Sequence, residues 1–191
     1  MTVYLVRHGE TEWSKTRKHT GRTDVPLTPR GRIQAGLLVS TLGHLKVDRV
    51  LTSPLIRAVD TATLAGFGDR IETDDRLLEW DYGDAEGRTT EELREEDPGW
   101  SVWTHPITGG ESLDQVAARV DDLLDEVSDP ARTTLLFAHA HVLRIFGARW
   151  CGLPPTDGQR LVLDPASVSV LAFEREVPCV ERWNLLPDRA L

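Results

Sequence analysis

The chain has 191 residues, a formal net charge of −9 and 40% apolar residues, with six tryptophans and two cysteines. That suits one domain with a core of its own, and Cys151 and Cys179 are too few for a disulfide framework, so a reducing, cytoplasmic location is expected. No apolar run reaches bilayer length, and the acidic balance argues against nucleic acid or an anionic membrane as a partner.

Taken in chain order, the start Thr2-Val3-Tyr4-Leu5-Val6 lacks the basic opening and cleavage site of a signal peptide and is expected to form a first strand. Thr28-Pro29 places a hydroxyl cap before a proline at the first helical position, and Ser53-Pro54 is expected to do the same. Between these pairs, Arg49-Val50-Leu51-Thr52 has strand character. Residues 66–111 are short-patterned, charged and rich in Gly, Trp and Asp. They are expected to form a cap-like excursion over the site, with a short helix at Thr90–Glu96, inside a single domain spanning 1–191. Ser112 caps a helix whose Leu113, Val116, Ala117, Val120, Leu123, Leu124 and Val127 step by three and four, and Asp129-Pro130 ends it. Thr133–Ala138 and Val168–Phe173 are further strands, the first apolar enough for a central strand covered on both faces. A loosely ordered tail is expected from Asn184. Strands alternating with helices predict a three-layer α/β/α sandwich with a mostly parallel central sheet.

In such sheets ligands sit at the carboxyl ends of the parallel strands. That rule gathers Arg7-His8, the stretch Ser53–Arg57, and His139. Two arginines offer planar donor forks suited to phosphate oxygens, and an imidazole beside them stays unprotonated and nucleophilic. A metal site is the competing reading of two histidines. No His-x-x-x-His or Cys-x-x-Cys spacing supports one, so neither a metal nor a cofactor is expected.

The residues here carry a family pattern. Leu5-Val6-Arg7-His8-Gly9-Glu10-Thr11 resembles the L-x-R-H-G-E-T signature of the histidine phosphatase (phosphoglycerate mutase-like) superfamily. Thr20-Gly21 with Asp24 and Pro26-Leu27-Thr28, Ser53–Ala58, Leu78–Gly87, Gly109-Gly110-Glu111-Ser112 and Leu135–His139 resemble its other blocks, in the family's order over nearly the whole chain. The resemblance implies that His8 takes the phosphoryl group as phosphohistidine, that Arg7, Arg57 and His139 hold its oxygens, and that Glu79 is general acid and base. It implies weaker hydrogen-bonding roles for Thr20, Gly21 and Ser53. Asp81, Asp84 and Glu86 remain alternatives to Glu79. His141, two residues after His139, is a candidate substrate contact, whereas His19, His44 and His105 carry no motif and are expected in solvated or capping roles. Trp80, Trp100 and Trp103 are read as core residues or pocket walls.

Two positions depart from the pattern: Ser14 stands where asparagine is usual, and Ala140 follows the second histidine in place of glycine. Ala140 demands a backbone that suits an ordinary L-residue. The mutases of the superfamily carry Glu-Arg-His-Tyr where this chain has Glu79-Trp80-Asp81-Tyr82, and losing an arginine while gaining an acid disfavours a second anionic group. The resemblance is closer to small acid phosphatases and sugar-phosphate phosphatases. The expected activity is hydrolysis of small phosphorylated metabolites. A cofactor-dependent mutase and a non-catalytic phosphate-binding module are the alternatives, and the oligomeric state stays open, a homodimer included.

Overall fold

A computed structural model describes residues 2–129 and 131–187. Six strands form one sheet in the order β3-β2-β4-β1-β5-β6: β1 (Thr2–Arg7), β2 (Arg49–Thr52), β3 (Ile71–Thr73), β4 (Thr133–Ala138), β5 (Val168–Glu174) and β6 (Val177–Leu185). The pairings among β1 to β4 are parallel, and β5 and β6 add antiparallel. Each strand in the middle of the sheet feeds both layers. On β4, Leu136 and Ala138 point to one apolar cluster while Leu135 and Phe137 point to the other.

The first layer holds α5 (Leu113–Val127) and α6 (Ala140–Trp150); the second holds α2 (Pro29–Leu42) and α3 (Ile56–Ala62). The two short helices are α1 (Glu12–Lys15) and α4 (Thr90–Glu96). The three layers are those the sequence predicts. The capping signals hold at Thr28, which accepts from Gly31 N at 3.0 Å, and at Ser112, which forms a reciprocal box with Gln115. Helix α5 ends at Val127, and Pro130 lies outside the described residues.

Three expectations need correction. Ser53 does not cap a helix: α3 starts at Ile56 behind Leu55, and the N–H of Ile56 is taken by Asp24 Oδ1 at 2.8 Å, from a distant loop. The Ser53 hydroxyl is engaged instead with His139. The excursion begins later than residue 66, because Ile71–Thr73 pairs in parallel with β2 as the sheet edge. Nor does a loose tail begin at Asn184. It lies within β6, and its side chain both donates to Asp164 Oδ2 at 2.9 Å and accepts from Asp164 N at 2.7 Å.

The segment between β3 and α5 is no separate body. Leu77, Trp80, Tyr82, Leu93, Trp100 and Trp103 are buried in the same cluster as α5, α6 and one sheet face. Its geometry is fixed by Arg119 of α5, which donates to the carbonyls of Arg76 and Leu78 at 2.7 Å and of Glu79 at 3.2 Å, and to both oxygens of Glu111. Burial pushes the Glu111 carboxyl up, but the hydrogen bonds and charge of Arg119 outweigh it, and the group lies below its ordinary range. Among the described residues, no helix is long and apolar enough to cross a membrane.

Candidate active site

The ends of β1, β2 and β4 do converge. His8 follows β1 with only 4% of its surface exposed, and its Nδ1 lies 2.7 Å from the carbonyl of Gly9. A carbonyl can only accept, so Nδ1 carries the proton and Nε2 keeps a free lone pair. Burial, reinforced by the charges of Arg57 and Arg7, holds His8 well below the ordinary histidine value. The backbone behind it is tightly packed. A Cβ on Gly9 would lie 2.5 Å from the carbonyl oxygen of Gly31, and one on Gly31 would lie 2.1 Å from that of Glu10.

His139 closes β4 as the N-cap residue of α6, and its ring centroid lies 5.2 Å from that of His8. Arg57 Nε donates to its Nδ1 at 3.1 Å, so the proton is on Nε2, 2.7 Å from Ser53 Oγ. Arg57, His139 and Ser53 are fully buried and do not line the cavity beside His8. The remaining Arg57 donors reach the carbonyls of Thr23 at 2.9 Å, Thr20 at 3.1 Å and Gly21 at 2.9 Å. Arg57 thus orients His139 and ties down the 20–23 loop while holding a positive charge next to His8. Gly21 is equally committed: its N–H donates to Glu86 at 2.9 Å, and a Cβ there would lie 2.5 Å from the Trp80 carbonyl oxygen.

Glu79 is 3% exposed and sits at the N-terminus of α6. Its oxygens accept from the N–H groups of Trp80, His141 and Val142, each at 3.0 Å. Asp81 and Glu86, two of its alternatives, point elsewhere: Asp81 is ion-paired with Arg22 at 3.7 Å, and Glu86 holds Gly21 and Thr23. His141 Nδ1 lies 2.6 Å from the Tyr82 hydroxyl and 4.0 Å from Glu79 Oε2.

The cavity, about 450 Å³, is lined by His8, Arg7, Glu79, Thr20 and His141 among the sequence candidates. Ser14 lines it too, but its hydroxyl serves a capping box with Thr11. Ala140 is the first residue of α6 and has no positive φ, so alanine fits there without strain. Arg7 donates to the Leu163 carbonyl, and its buried Nε has no hydrogen-bond partner; burial lowers this guanidinium to about 10, against the pull of Glu79.

Four cations escape the motifs. Arg17, Lys18, Arg94 and Arg144 also face the cavity, so with Arg7 five cations meet the single acid Glu79. The acidic chain therefore focuses positive charge on one concave surface. His19 corrects another expectation. Rather than being solvated, it is buried on the cavity wall against Tyr82 and Trp100, with burial lowering it to about 4. His44 is exposed, and His105 accepts from Ser101 N at 3.1 Å across a turn, not at a helix cap. Trp103 walls the cavity, while Trp80 and Trp100 belong to the core.

A parallel-sheet sandwich with a neutral buried imidazole on a cationic cavity defines a class, that of enzymes handling phosphate esters. Comparisons with known proteins agree. A family model described as the histidine phosphatase superfamily (branch 1) matches residues 3–186. An acid phosphatase of Mycobacterium tuberculosis is 44% identical over 181 residues, spanning 92% of this chain and 88% of that protein. A probable phosphoglycerate mutase of Cronobacter sakazakii is 34% identical over 193 residues, spanning 96% and 90%. The solved structure of an open reading frame from Mycobacterium tuberculosis superposes with a TM-score of 0.92 at 40% identity, covering 97% of this chain and 98% of that one. The chain belongs to the histidine phosphatase superfamily, branch 1, and is an enzyme of the phosphomonoesterase class.

Proposed function

We propose that the protein hydrolyses small phosphate monoesters, without a metal, through a phosphohistidine on His8, and that residues 74–111 cover the site. The observation that carries this reading is the free Nε2 of a neutral His8, with Arg57 buried behind it, on a cavity lined by Arg7 and four further cations.

Nε2 attacks phosphorus as the bond to the leaving oxygen breaks, and Glu79 passes its proton to that oxygen so that an alcohol departs. Glu79 then takes a proton from water. The resulting oxygen nucleophile displaces His8 from phosphorus, which releases inorganic phosphate and restores the imidazole. Arg7, on the cavity wall, stabilises the charge on the equatorial oxygens. Arg57 and His139 contribute from beneath, by charge and by orientation. A ligand oxygen that displaced the Thr20 or Gly21 carbonyl would bring the Arg57 fork into direct contact. Thr20 and His141, on the cavity wall, contact the ester. Gly21 and Ser53 act through Arg57 and His139.

The test is release of phosphate from p-nitrophenyl phosphate in EDTA, together with acid-labile labelling of the protein. His8→Ala is expected to lower kcat by about 10⁴ or more and to abolish labelling; substantial labelling of that variant would overturn the nucleophile assignment. The similarity to a probable mutase keeps one second reading, conversion of 3-phosphoglycerate to 2-phosphoglycerate. Measured with and without 2,3-bisphosphoglycerate, that conversion is expected to be slow relative to hydrolysis.

A further inference from the structure

The turn that carries His8 is held partly by backbone and partly by two side chains from distant helices. His8 N–H donates to the Ala138 carbonyl at 2.9 Å, and the Glu10 carbonyl accepts from Thr28 N at 2.9 Å. The N–H of Gly9 goes instead to Thr61 Oγ1 of α3 at 3.0 Å, and that of Glu10 to Gln34 Oε1 of α2 at 2.9 Å.

Gln34 matters because of the peptide it holds. The group joining Gly9 to Glu10 turns its carbonyl to His8 Nδ1 at 2.7 Å and its N–H to Gln34. One planar unit thus takes the imidazole proton at one end and is fixed at the other. An acceptor on the N–H side also polarises the peptide and makes its carbonyl a better acceptor. Gln34 can reach because α2 runs against the turn with no side chain between them. A Cβ on Gly31, one turn before Gln34, would lie 2.1 Å from the Glu10 carbonyl oxygen and 2.8 Å from its nitrogen. Gln34 is half-buried, does not line the cavity and belongs to none of the motif blocks.

When Nε2 bonds to phosphorus, a ring that keeps its Nδ1 proton becomes cationic, where burial and the charges of Arg57 and Arg7 already disfavour a charged ring. The Nδ1 partner is a neutral carbonyl rather than a carboxylate. That bond becomes charge-assisted as the cation forms, so the aim and strength of the carbonyl count for more in the transition state than at rest.

We infer that Gln34 is a positioning residue: through the Gly9–Glu10 peptide it keeps the proton on His8 Nδ1 and steadies the imidazolium formed on phosphoryl transfer, while Thr61 fixes the preceding peptide. The Nδ1 proton stays in place through both steps as Nε2 takes and releases the phosphoryl group. The inference rests on the phosphatase reading above and adds a residue to its machinery.

Gln34→Leu removes the acceptor at similar size, and Gln34→Glu restores one. With p-nitrophenyl phosphate, kcat/KM is expected to fall about tenfold in Gln34→Leu, the worth of one hydrogen bond to a charged group, and to return to within about threefold of wild type in Gln34→Glu. Alkyl and aryl phosphates are expected to lose alike, because the defect lies in the nucleophile and not in protonation of the leaving group. Proton NMR reads the hydrogen bond directly. The His8 Nδ1–H signal, assigned by its loss in His8→Ala, is expected to move upfield in Gln34→Leu and to move back in Gln34→Glu. A kcat/KM within about twofold of wild type in Gln34→Leu, equal losses in both variants, or an Nδ1–H signal that Gln34→Leu leaves unmoved would overturn the inference. If the wild type releases no phosphate from p-nitrophenyl phosphate, the phosphatase reading itself fails, and the NMR shift alone decides whether Gln34 governs the imidazole.

Discussion

Glu79, the proposed acid and base, is held by α6 N–H groups that also draw on its oxygens. Its role shows in the leaving group. Glu79→Gln is expected to slow alkyl phosphates by about 10² or more while aryl phosphates with good leaving groups lose much less, because only alkoxides need the proton. Equal losses in both classes would move the proton donor elsewhere. Gly31 makes a different prediction. Because any side chain there meets the Glu10 backbone, Gly31→Ala should cost about 2 kcal/mol in a denaturant melt and disturb the turn that carries His8. A variant as stable as the parent would show that the turn yields easily.

At the scale of elements, α3 is capped from outside itself. Asp24 supplies the acceptor for its first N–H, and the same helix delivers Arg57 back to the 20–23 loop, so loop and helix hold each other. Asp24→Ala is therefore expected to cost about 1 kcal/mol and to lower kcat as Arg57 loosens; a stability loss with kcat intact would show that Arg57 keeps its place without the cap. This mutual support explains what was legible in the sequence and what was not. The strand-end triplet of Arg7-His8, Arg57 and His139 was readable because local periodicity marks strand ends and the motif blocks sit there. The cap of α3 was not, because Ser53-Pro54 carries the local signal while the true partner lies 32 residues away. Strand β3 is too short to show a period. Strand β6 follows a turn at Arg175, a non-glycine with φ of 58°, where composition gives no turn mark. Arg144 did leave a signal: it stands three residues after His141 on one helix, a spacing that puts both on one face. Lys18, Arg17 and Arg94 left none, since their shared cavity exists only once the segment after β3 has folded back.

Across the whole molecule, buried neutral histidines couple protonation to folding. Burial lowers His8, His139, His141 and His19, the last to about 4. Below about 6.5 the unfolded chain binds protons that the folded one refuses, so stability is complete above that pH and is lost as pH falls toward the folded values. Each such histidine adds a slope of up to about 1.4 kcal/mol per pH unit in this window. Denaturant midpoints are expected to drop markedly between pH 7 and pH 5, while His8 stays unprotonated in the folded state and competent for attack. A midpoint that is flat over this range would contradict the burial of these rings. The enzyme is thus expected to remain chemically able in acid for longer than it remains thermodynamically secure.

Helix α6 carries Glu79's hydrogen-bond donors at one end, and midway along it Gly147 faces the indole of Trp183, where a Cβ would lie 2.7 Å from the ring. That same indole donates to the carbonyl of Val162, on the cavity wall. The contact works as a fulcrum. Filling that one hydrogen-sized space is expected to tilt the helix and shift Glu79 and the wall of the cavity together, so one substitution remote from His8 would alter both how fast an ester is cut and which ester is held.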